Sequence, residues 1–155
     1  MLRIYVMNEA TGQNRFLGYT DALHRNHLTY DPNNILISVR NDVDMFFTPG
    51  CTGLIDRLVD NVSAICCHDD RIAFKLIGYL ESKGIKVPDD ISIIGYDDSF
   101  FSTLVYQITT VTHPKYKYGR NTAMALLELI REGKIDISKY REEPRLIVRS
   151  TTSPR

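Results

Sequence analysis

"DDRIAFKLIGYLESKGIKVPDDISIIGYDDSF", residues 69–100, carries the chain from one clear helix into one clear strand. Ile72, Leu76 and Leu80 fall at i, i+4 and i+8, with Ala73 and Ile77 beside them, so an apolar stripe runs down one helical face. Asp69 stands where an N-cap belongs, and Gly84 where the helix should stop. The turn "KVPDD" then gives way to Ile91, Ile93 and Ile94, an apolar strand broken off by Gly95, Tyr96, Asp97 and Asp98. A strand that is apolar on both sides belongs inside a parallel sheet covered on both faces. Its carboxylates therefore mark the strand's end.

The same alternation extends in both directions. "LRIYVM" (2–7), "ILISV" (35–39), "SAICC" (63–67) and "ITTV" (108–111) read as strands, and "PRLIVRSTT" as a last one with Pro144 at its edge. Between them, 13–28 places Phe16, Leu17, Ala22 and Leu23 at roughly helical spacing, and 50–61 makes a short helix. A long helix over 115–132 opens at Pro114 and closes at Gly133, and carries Tyr118, Met124, Ala125, Leu127, Leu129 and Ile130. Alternating strands and helices predict an α/β fold, a doubly wound parallel sheet with helices on both faces.

Such sheets bind ligands outside the carboxyl ends of their strands. Four strand ends here carry polar groups: Arg15 after the first strand, His68 with Asp69 and Asp70, Asp97 with Asp98, and His113. Mixed donors and acceptors of this kind suit a polyol or sugar, whose hydroxyls both donate and accept. Each residue also has a plainer reading. Asp69 reads first as a helix cap and Asp98 as a turn residue, so position and pattern carry the inference more than any one side chain.

Bulk properties narrow the classes. With 155 residues, 43% hydrophobic and 25% charged, the chain can bury a core as one domain. Its nineteen basic and nineteen acidic residues cancel, so no nucleic-acid or membrane-surface footprint is present. No apolar run reaches membrane-spanning length, and the stretch "MLRIYVMNEATG", with no charged-then-apolar run long enough, is not expected to act as an export leader. Cys51, Cys66 and Cys67 are an odd number without paired zinc-ligand spacing, and Cys66 and Cys67 point to opposite faces of a strand; this predicts a cytoplasmic chain with buried thiols, no metal and no cofactor.

The stretch "AICCHDDRIAFKLIGYLESKGIKVPDDISIIGYDDSFFSTLVYQITTVTHPKYKYG" (64–119) resembles the effector-binding domain of LacI/GalR-type bacterial transcriptional repressors, whose fold is periplasmic-binding-protein-like. "RFLGYTDAL" (15–23) and "PRLIVRSTT" extend the likeness, and "GYDDSFFS…TTVTHPK" is also similar to arabinose-responsive repressors that carry a GntR-type winged helix. The resemblance implies a sugar effector, arabinose among the candidates, bound by Arg15, by His68 in place of a family Asn, by Asp97 and by His113. Met45 or Phe46 would stack on the sugar ring. It implies a homodimer through Phe100, Phe101, Leu104, Val105 and Tyr106 with the exposed face of helix 70–82. It also implies that residues 1–155 are a partial effector-binding domain, mainly the carboxyl-terminal subdomain. The DNA-binding head and first subdomain would be missing, operator DNA would be reached only through that head, and helix 115–132 would pack atypically or swap onto a partner chain.

Two other readings stand beside this one. A periplasmic sugar-binding protein shares the fold but needs a signal peptide. A magnesium-dependent α/β enzyme could use Asp69, Asp97 and Asp98, yet the chain has no glycine-rich phosphate loop, Walker motif or G-x-S-x-G elbow.

Overall fold

The computed structural model describes residues 2–6, 10–38 and 43–154. Met7 and Val39, placed at strand ends by the sequence, lie outside the described residues. The strands β1 (Leu2–Val6), β2 (Ile35–Ser38), β3 (Ala64–Cys67) and β4 (Ser92–Ile94) form one parallel sheet in the order β2-β1-β3-β4. The helices are α1 (Ala10–Arg25), α2 (Thr52–Val59), α3 (Asp70–Ser82) and α4 (Lys115–Glu132).

β2 lies on one side of β1, while β3 and β4 lie on the other. Right-handed crossovers then send α1 to one face of the sheet and α2 and α3 to the opposite face. The α3 stripe is buried as its spacing predicts: Ile72, Ala73, Leu76, Ile77 and Leu80 join Ile55, Ile65, Ile91 and Ile93 in the core. Asp69 caps α3, its side chain accepting from the Ile72 backbone N–H at 2.8 Å. Gly84 leaves the helix at φ +80°.

Two details depart from the sequence pattern. Among the described side chains of α1 the buried hydrophobic ones are Tyr19 and Leu23, whereas Leu17 is 61% exposed. Arg15, Tyr19 and Leu23 sit at i, i+4 and i+8, so the inward stripe is led by a cation rather than by Leu17 and Ala22. Beyond β4 the chain also does more than add a fifth parallel strand. Thr109 continues the parallel ladder beside Ile94, but β5 (Thr110–Thr112) then pairs antiparallel with β6 (Arg145–Ile147). In that ladder the Gly95 N–H donates to Thr109 O at 2.8 Å, and the tail closes the rest of the β4 edge, where the Ile93 N–H donates to Thr151 O at 2.7 Å.

α4 has no buried residue, and Met124, Leu127, Leu129 and Ile130 are exposed. It packs on the 3-10 turn Ile137–Tyr140, where Asn121 Nδ2 donates to Tyr140 O at 3.3 Å. The helix thus leaves its apolar face exposed, and the expectation that it packs atypically or swaps is not met within this chain.

A Cβ on Gly95 would lie 2.1 Å from Asp70 Oδ1 and 3.2 Å from the Asp70 Cα, whereas one on Gly18 in α1 would meet open space. Urea denaturation should find Gly95→Ala destabilised by about 2–3 kcal/mol from overpacking. Gly18→Ala should gain about 0.5–1 kcal/mol from helix propensity.

Candidate functional site

The inward stripe of α1 delivers Arg15 to the carboxyl ends of β3 and β4. Its guanidinium donates through NH1 to His68 O at 2.6 Å and through NH2 to Asp97 Oδ1 at 2.9 Å. The guanidinium carbon also sits 3.7 Å from the centroid of the Tyr96 ring, a cation–π stack. Tyr96 in turn packs against the His113 ring at 5.2 Å, and His113 against Tyr118 at 6.0 Å. Arg15, His68, Asp97 and His113, proposed from separate strand ends, thus meet at one place. His68 meets Arg15 through its backbone carbonyl.

The loop that presents Asp97 is held in an uncommon shape. Asp97 and Asp98 have φ of +92° and +45°, the left-handed region, where short polar side chains are the usual non-glycine occupants. Hydrogen bonds from several directions fix it. The Asp97 N–H donates to Val111 O at 2.9 Å, the Asp70 N–H to Tyr96 O at 3.0 Å, and the Ser99 N–H to Asp70 Oδ2 at 2.6 Å. Backbone strain persists only where the surroundings over-determine it, and here they do.

The result is a polar ledge with unused capacity. Asp97 is 40% exposed in its side chain, and its Oδ2 takes part in no hydrogen bond among the described residues. Neither the His113 ring nitrogens nor the Tyr96 hydroxyl is hydrogen-bonded among the described residues. Tyr96 is the residue that sequence reasoning missed; an aromatic directly before a strand-end acid was the available signal.

A family model described as a periplasmic binding protein-like domain matches residues 4–152. The chain belongs to the periplasmic-binding-protein-like domain family. It is 30% identical over 149 residues to the HTH-type transcriptional repressor PurR of Vibrio atlanticus, covering 94% of this chain and 43% of that protein. It is 26% identical over 156 residues to the arabinose metabolism transcriptional repressor of Halalkalibacterium halodurans, covering 97% and 42%. The chain thus spans less than half the length of these curated relatives. Among solved structures, a periplasmic binding protein/LacI transcriptional regulator from Alkaliphilus metalliredigens, complexed with D-xylulofuranose, superposes with a TM-score of 0.81. That match has 24% identity and covers 99% of this chain and 56% of the other.

Within this periplasmic-binding-protein-like domain, the neighbouring carboxylates have separate tasks. Asp69 caps α3, and Asp98 pairs with Arg149 NH2 at 2.8 Å and accepts from Ser102 Oγ at 3.1 Å. Burial pushes the Asp98 carboxyl up, but hydrogen bonds from Arg149 and Ser102 and the Arg149 charge outweigh it and hold the group below the ordinary Asp value. The three acids weighed as a magnesium site are thus drawn to a helix end, Arg15 and Arg149 respectively, rather than to a shared centre. The other two ligand candidates part company. Phe46 is 4% exposed and belongs to the core cluster, so its ring is not presented to a ligand, and the expectation of stacking there is corrected; Met45 points outward.

Asp70 is fully buried, accepting from Thr110 Oγ1 at 2.6 Å as well as from Ser99. Burial raises its pKa above the ordinary 3.8, against the pull of the Thr110 and Ser99 hydrogen bonds and with help from the nearby Asp97 charge. A raised carboxyl favours the fold below the unfolded pKa and loses that contribution as pH rises through the folded value. Asp70→Asn can accept from Ser99 and donate to Thr110 with no charge to desolvate. Denaturation across the acid-to-neutral range should therefore show the stability of Asp70→Asn, relative to the parent, climbing as pH rises. Asp70→Ala, which leaves Ser99 N–H and Thr110 Oγ1 without that acceptor, should lose about 1–3 kcal/mol at neutral pH.

Proposed function

We propose that this chain is the effector-sensing part of a LacI/GalR-type bacterial transcriptional repressor, with a sugar bound at the Arg15–Asp97 ledge. The observation that carries the reading is the geometry of that pair: an arginine fork locked against His68 O, Tyr96 and one oxygen of Asp97, with the second carboxylate oxygen open. A sugar hydroxyl can donate to Asp97 and accept from Arg15, and a neighbouring hydroxyl can reach His113. Met45 would border the sugar from the 3-10 turn Val43–Phe47 before α2. Charge-assisted bonds of this kind contribute about 1.5–3 kcal/mol each when buried.

Arabinose is the effector we propose first, because a relative carries the name arabinose metabolism transcriptional repressor. The protein binds and does not catalyse, acts in the cytoplasm, and reaches operator DNA through a head outside these residues. Among the described residues no helix is long and apolar enough to cross a membrane.

Self-association belongs to the same reading. The segment after Asp98 forms a 3-10 turn, Phe100–Ser102, lying on α3. Phe101 and Tyr106 pack against Phe74 at 5.7 and 5.4 Å between ring centroids, and Tyr106 OH donates to Glu81 at 2.8 Å. Phe100, 70% exposed, and the exposed Leu104 and Val105 form the outward part of a homodimer contact with the α3 face.

Binding by this chain should be weak. One wall of a cleft leaves the ligand open to water, so NMR titration with L-arabinose should give millimolar dissociation, about 4 kcal/mol of binding. Calorimetry on the full regulator should find tight binding that Arg15→Ala or Asp97→Ala removes and Asp98→Ala largely keeps. Unchanged affinity in Asp97→Ala would take Asp97 out of the site. In sedimentation, Phe100→Asp should convert a dimeric regulator to monomers; equal masses for parent and variant would remove the dimer reading.

A further inference from the structure

After β5 the chain leaves the sheet, runs through α4 and the 137–140 turn, and returns as β6. None of the residues of α4 or of that turn is buried, so this excursion gains little from the core. Both of its feet are fastened to one residue. At the outgoing foot, Nζ of Lys115, the first residue of α4, donates to the Asp98 carbonyl oxygen at 3.0 Å. At the returning foot, Arg149 NH2 donates to Asp98 Oδ1 at 2.8 Å. Arg149 is itself pinned, since NH1 donates to Ile108 O and its backbone N–H to Thr109 Oγ1, each at 2.9 Å.

Asp98 is also the next residue after Asp97, and the two share the left-handed bend. A shared bend makes their backbones interdependent: the peptide between them belongs to both, so a left-handed backbone that relaxes at Asp97 once Arg15 no longer anchors its side chain turns the peptide that leads into Asp98. That turn moves the carbonyl gripped by Lys115 and the carboxylate gripped by Arg149. We infer that Asp98 is a coupling residue, through which the state of the Arg15–Asp97 pair is passed to both feet of the α4 excursion. The inference rests on the reading of that pair as the effector site. Asp98 positions and transmits; it does not hold the ligand.

The test uses the whole chain, with amide hydrogen exchange resolved by NMR at the outgoing foot (116–120) and the returning foot (145–148). Without sugar, Arg15→Gln releases Asp97 and should change exchange at both feet by about threefold or more. In an Asp98→Asn background the same change should be at most about half as large, a non-additivity that independent sites would not show. Lys115→Met should silence the outgoing foot alone and Arg149→Gln the returning foot alone, a foot-by-foot split that general loosening of the fold would not produce. Equal responses in the two backgrounds, or no response at the feet in either, overturn the coupling. Should Asp98→Asn fail to fold, the Lys115→Met and Arg149→Gln arms decide it by the same criterion. A second arm adds L-arabinose. Shifts at Arg15 and Asp97 that reach the feet in the parent, and stop at the site in Asp98→Asn, extend the coupling to ligand. No shift at Arg15 or Asp97 sinks the effector reading, and the sugar-free arm still judges the coupling.

Discussion

The first turn of α3 lies so close to the end of β4 that no side chain fits between them. Gly95 leaves that space, and Asp70 fills it. Once this contact is made, the backbone beyond β4 has little choice. The Asp70 N–H donates to Tyr96 O, its carboxylate accepts from the Ser99 N–H, and the bend between those anchors falls on Asp97 and Asp98. The strand-end acids are thus consequences of packing before they are instruments of binding. A bulkier residue at 95 would displace the ledge as surely as removal of Asp97 itself.

Carboxylates in one short region would repel one another if left alone, and the fold answers each separately. Asp69 faces the positive end of α3 and Asp97 faces Arg15, whereas Asp98 faces Arg149. Asp70 has no cation beside it among the described residues; it is buried among hydrogen-bond donors, and its charge is the costly one. Asp70 and Asp98 therefore shift in opposite directions only a short distance apart. Burial decides the first, and hydrogen bonds with a paired arginine decide the second.

Much of this was legible in the sequence where periodicity and position act together. The α3 stripe, its Asp69 cap and the abrupt end of β4 are local signals, and the strand-end rule alone gathered Arg15, Asp97 and His113. Contacts between distant segments were not legible. Nothing in "IVRST" announces that Arg149 will grip Asp98, 51 residues earlier. Phe46 carried no periodicity to mark it as core. In α1 the pattern misled, because its inward stripe is led by Arg15, and a cation there reads as surface until the sheet edge it must reach is known. Tyr96 was hidden for a related reason. Alternation along a strand sends neighbours to opposite sides, but the left-handed bend after Tyr96 lets it and Asp97 both meet Arg15.

The same pair can be weak within the fold and strong toward a ligand. The Arg15–Asp97 pair is open to water at its carboxylate, 40% exposed against 15% for the arginine, and a pair with one such open partner contributes about 1 kcal/mol or less to stability. That weakness makes it exchangeable: a hydroxyl that replaces water at Asp97 Oδ2 gives up no buried contact in doing so. The interaction gains strength only when something excludes water from the open side of the ledge, because a low-dielectric surrounding magnifies each charge-assisted bond. The exposed apolar residues of α4 rise from the chain just past His113 and offer the material for such a wall to pack upon. Asp98 fastens that excursion to the ledge. Water exclusion, α4 position and the state of Asp97 are then linked quantities, so a ligand that favours one arrangement of the ledge favours one placement of α4.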